Sequence, residues 1–86
     1  MALHSYGTFA NPRHAALIGT DVVVTFTLEQ PGVPGVVHSA RAGILTGVHE
    51  TQRGSKVTSA RIDFLDQDPL ELVAAELTSF AITPRR

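Results

Sequence analysis

The residues with the clearest chemical potential are four histidines, His4, His14, His38 and His49. A histidine can ligate a metal or move a proton near neutral pH. Zinc sites need such ligands at short, defined spacings, and the chain has neither a His-x-x-x-His pair nor a cysteine. The spacing therefore predicts structural histidines and no metal. The densest acidic group is Asp63, Asp66, Asp68 and Glu71. Alternating acids hold Ca²⁺ when a glycine turns the loop between them, and that glycine is missing. No neighbouring nucleophile or oxyanion hole suits these carboxylates to acid–base work. Gly54-Ser55-Lys56 ends like a phosphate loop but precedes a strand rather than a helix. Neither catalysis nor a cofactor is expected.

The basic residues point to binding instead. Arg41, Arg53, Lys56 and Arg61 lie on two successive strands and their connection, with His49 and Thr51 beside them. If those strands pair, the five residues Arg41, His49, Arg53, Lys56 and Arg61 form a modest basic patch. Such a patch suits phosphates or an acidic partner. The net charge of −1 argues against strong non-specific nucleic-acid binding, which needs a basic domain.

These side chains must be positioned by a small domain. Eighty-six residues suit one domain with a limited core. A hydrophobic fraction of 43% and a charged fraction of 17% are globular values. The absence of cysteine excludes disulfides and thiolate chemistry. No secretory leader pattern opens the chain, and no apolar run approaches the ~20 residues of a membrane span. A cytoplasmic protein without membrane contact is expected.

The local signals divide the chain into an arm at 1–10, a domain at 11–83 and a tail at 84–86. Tyr6 and Phe9 are the aromatics that would pack the arm. Asn11-Pro12 marks a helix start and Gly19 a stop, giving a short helix over Pro12 to Ile18. Asp21 to Leu28 alternates as a strand, with Val22, Val24, Phe26 and Leu28 on the core face. Two Pro-Gly dipeptides then turn the chain. Val36 to His49 reads as a long strand with Ala40, Ala42, Ile44, Thr46 and Val48 inward. Gly43 and Gly47 on its other face suit a sharp bend. Glu50 to Ser55 reads as a polar loop. Lys56 to Phe64 reads as a third strand with Thr58, Ala60, Ile62 and Phe64 inward.

The last third has two readings. Asp68-Pro69-Leu70-Glu71 has the form of a capping box, giving a helix over Pro69 to Leu77. The alternative is a strand at Leu70 to Val73, one helical turn at Ala74 to Leu77 and a strand at Thr78 to Ile82. Pairing of otherwise open sheet edges favours the strands.

Leu17-Ile18-Gly19-Thr20-Asp21-Val22-Val23-Val24, then Gly43-Ile44-Leu45-Thr46-Gly47-Val48, resembles the opening of SH3-like and Sm-like small barrels. Leu77 to Ile82 is similar to the turn and last strand that close such folds. The resemblance implies an all-β, five-stranded SH3-like/Sm-like barrel with a short N-terminal helix. The Asp-then-Asn signature of Sm RNA pockets is absent from His49-Glu50-Thr51-Gln52-Arg53-Gly54, so that pocket does not carry over. The aromatic cluster that holds Pro-rich ligands on SH3 domains is absent too. Leu45, Val23 and Val36-Val37 fall on faces expected to be outward, which implies cover by the short helix or by another chain. The expected function is a non-catalytic protein-interaction or assembly module that self-associates. The alternative is an Sm-like RNA- or DNA-binding protein using the basic patch.

Overall fold

The computed structural model describes residues 9–30, 32 and 34–85. His4, Tyr6, Pro31, Val33 and Arg86 lie outside these residues. The element order is α1 (Pro12–Ala15), β1 (Asp21–Leu28), β2 (Val37–Arg53), β3 (Lys56–Phe64), β4 (Leu70–Val73), a 3₁₀ turn (Ala74–Glu76) and β5 (Leu77–Pro84). The fold is mainly β, as the sequence implies.

Helix α1 is shorter than its sequence signals suggest. The Asn11 side chain accepts the His14 N–H at 2.9 Å, and Pro12 takes the first turn. None of the four helical residues is buried, so packing does not extend the helix beyond Ala15. The chain leaves through Gly19 at φ +91°, a conformation that favours glycine.

All four strand pairings are antiparallel, in the order β4-β3-β2-β1-β5. β2 is central. Val37 to Ile44 pair with β1, and Leu45 to Arg53 pair with β3. One core cluster draws on both halves, joining Val22, Val24, Leu77 and Ile82 to Leu45, Ile62, Leu70 and Leu72. The sheet therefore folds over on itself around β2. Among the described residues no ladder joins β4 to β5, and the sheet is not closed.

The strand reading of the last third holds. Asp68 caps no helix. Leu70 and Leu72 face the core in strand alternation, and Leu77 is fully buried at the start of β5. The helix signal at Asp68-Pro69 loses because pairing with β3 buries both leucines. The polar loop expected at Glu50 to Ser55 shrinks to Gly54-Ser55. Its other residues extend β2, and Arg53 pairs with Lys56 across the turn. Gly54 adopts φ +66° there.

Three one-residue irregularities set which residues face inward. Leu45 pairs with Phe64 and Gly47 with Asp63, so Thr46 is an extra residue on β2. Before this bulge the inward set of β2 is odd-numbered; after it, even-numbered. Of the expected inward face Ala40, Ala42, Ile44, Thr46 and Val48, the first four are thus corrected and Val48 holds. Leu45 is fully buried and Ile44 is 41% exposed, while Val48 packs against the core. Thr58 is likewise extra on β3, which buries Val57 and turns Thr58 out. Thr78 is extra on β5, which brings Leu77 opposite Leu28.

Candidate interaction surface

Of the five basic-patch residues, the structure brings some together and separates one. His49 and Arg61 are register partners on the outer face of the β2–β3 pair. Both engage Asp63. His49 Nε2 lies 3.0 Å from one carboxylate oxygen, and Arg61 Nε lies 3.1 Å from the other. Gly47 makes room for this arrangement, since a Cβ there would sit 2.9 Å from His49 Nε2. Glu71 stands opposite Arg61 on β4. The charges of this face are therefore largely matched. Arg53 and Lys56 pair further out, at the hairpin tip, and neither has an ion-pair partner among the described residues.

Arg41 belongs elsewhere. It pairs with Val24 in the β1 half of β2 and precedes the Thr46 bulge, so it lies on the inward side rather than the outer face expected. Its guanidinium donates to the Asp68 carbonyl at 3.0 Å and sits 6.0 Å from the Phe64 ring centroid. Gln67 donates to the Ala42 carbonyl at 2.8 Å and occupies the space beside Gly43. Arg41 and Gln67 thus strap the β3–β4 connection to β2.

The other described histidines are structural contacts. His14 Nδ1 bonds the Phe9 carbonyl. His38 Nδ1 meets Thr27 Oγ1 at 3.1 Å, and Ser79 Oγ donates to the same hydroxyl at 2.8 Å. This row crosses the outer face of β2, β1 and β5. Among the described residues, no group of three or more His, Cys, Asp or Glu is placed to hold a metal. No described helix is long and apolar enough to cross a membrane.

The sheet edges carry the feature that side-chain motifs did not reveal. Among the described residues, β4 pairs only with β3, and β5 pairs only with β1. The eight residues of β5, Leu-Thr-Ser-Phe-Ala-Ile-Thr-Pro, contain no charge. A groove of about 500 Å³ runs beside this strand, lined by Arg13, His14, Leu17, Phe80, Ile82 and Thr83 among others. The chain matches no protein-family model, no curated protein sequence and no solved structure. The functional reading therefore rests on the geometry of these edges.

Proposed function

We propose that this chain is a non-catalytic self-assembly module built on a barrel of the SH3-like/Sm-like type. The order of the strands, the long central β2 and the 3₁₀ turn before β5 support the barrel reading. The observation that carries self-assembly is the edge of β5 that no strand covers among the described residues. Exposed edges offer unpaired N–H and C=O groups to other chains. Folded proteins commonly protect them with lysines, internal prolines or short length. β5 has eight residues, no charge, and proline only as its last residue. Such an edge suits addition of a strand from another chain.

Size-exclusion chromatography with light scattering tests this reading. The expected mass is a multiple of the single chain, retained at high salt because the strand is uncharged. A single-chain mass at all concentrations removes the proposal.

The alternative reading is an Sm-like RNA- or DNA-binding protein. One observation favours it: Arg53 and Lys56 project side by side at the hairpin tip without acidic neighbours in ion-pair range. Phosphate contacts by these two groups would give a log–log salt slope of about −0.9 per contact. The paired variant Arg53→Glu with Lys56→Glu is then expected to abolish retention of nucleic acid, read as the 260/280 nm absorbance ratio of the eluting peak. Equal retention by the variant excludes the hairpin tip as the nucleic-acid site.

A further inference from the structure

The hydrogen-bonding direction of β5 can be read residue by residue. Arg85 N–H donates to the Asp21 carbonyl at 3.1 Å. In an antiparallel ladder, hydrogen-bonded and non-hydrogen-bonded pairs alternate. The register continues from this contact through Pro84 opposite Val22, Thr83 opposite Val23, Ala81 opposite Thr25 and Ser79 opposite Thr27. Thr83, Ala81 and Ser79 therefore turn their N–H and C=O groups toward β1. Phe80 and Ile82 turn theirs to the free edge, and no main-chain partner outside the ladders meets them among the described residues.

We propose that β5 pairs with β5 of a second copy, antiparallel and centred on Ala81. This deepens the self-assembly reading, on which it rests, by naming the edge and the symmetry. With Ala81 facing Ala81 of the second copy, Phe80 of each chain meets Ile82 of the other. Every free N–H and C=O of those residues is then satisfied reciprocally. Centring on Ile82 instead sets Phe80 against Pro84, which has no N–H to give. Centring on Phe80 sets Ile82 against Thr78, the extra residue at the β5 irregularity. The Ala81 register is the one that uses every N–H and C=O of Phe80 and Ile82. It places Ser79 opposite Thr83 and opposes no two charges, because the strand has none. The contact is isologous and closes at two copies.

Cysteine cross-linking in the full chain tests this register, because the native sequence has no cysteine. Ala81 would face its own copy as a non-hydrogen-bonded pair, with Cα atoms about 4.5 Å apart. That separation lies within disulfide range. Ala81→Cys is expected to give a disulfide-linked dimer on mild oxidation. Thr83→Cys or Ser79→Cys alone should give several-fold less, whereas an equal mixture of those two should link about half as much as Ala81→Cys, because random pairing makes half of its dimers mixed. A circular dichroism melt of each reduced variant confirms that it folds. If Ala81→Cys stays unlinked while the native chain scatters as an oligomer, β5 pairing falls and self-assembly stands. If Thr83→Cys alone links as well as Ala81→Cys, the register falls. A native chain of single-chain mass overturns both proposals.

Discussion

Phe9→Ala is expected to destabilise the fold by about 3–5 kcal/mol, the usual cost of removing a large aromatic from a core. Phe9 is fully buried although it precedes the first helix. Its ring meets Phe80 edge-on at a centroid distance of 4.8 Å. Its backbone is fixed as well. Glu50 Oε1 accepts the N–H groups of Phe9 and Ala10, each at 2.9 Å, and His14 bonds the Phe9 carbonyl. The segment is thus a plug held by both packing and polar contacts. Small domains have only about 5–15 kcal/mol of net stability, so this loss is a large share of the total. At roughly 4–8 °C per kcal/mol, the melting temperature should fall by more than ten degrees. Glu50→Ala should produce a smaller fall, since it removes the clamp and leaves the ring. Thermal unfolding followed by circular dichroism reads both. A melt unchanged in Phe9→Ala would show that the plug is dispensable.

Much of this architecture is legible from alternation and turn chemistry. β1 and β3 follow the β-branched runs from Asp21 and Lys56, because one face of each is buried and the other is solvated. The strand reading near Leu70 follows from the need to pair sheet edges, which outweighs the helix signal of Asp68-Pro69. The facing of β2 was hidden because a bulge adds one residue without altering composition. Thr46 and Thr58 are ordinary strand residues, yet the inward parity of each strand reverses as the chain passes through them. The same parity change separated Arg41 from the other members of the basic patch. Ion pairing was also hidden, since the closeness of Asp63 to both His49 and Arg61 depends on register and on the missing side chain of Gly47. The uncharged run of β5 is present in the sequence. That its free groups belong to Phe80 and Ile82 follows only from the Arg85–Asp21 contact and the ladder.

The reversal at Thr46 makes the second large prediction, a contrast between adjacent residues. Leu45→Ala should cost about 2–5 kcal/mol, because it removes a fully buried side chain and leaves a cavity. Ile44→Ala should cost about 1 kcal/mol or less, since Ile44 is exposed and its loss alters mainly strand propensity. The sequence pattern alone assigns the opposite order, with Ile44 inward and Leu45 outward. Urea unfolding distinguishes the two through the midpoint, provided the slope is shared by both variants. The bulge is what permits β2 to serve two partners. Leu45 stays inward against Phe64 while Val48 turns inward opposite Ile62. Without it, a continuous strand would carry either Leu45 or Val48 to the solvent, and the two halves could not close on one core. A larger loss at Ile44 than at Leu45 would therefore remove the bulge. It would also remove the folding of one sheet around β2 on which the open edges depend.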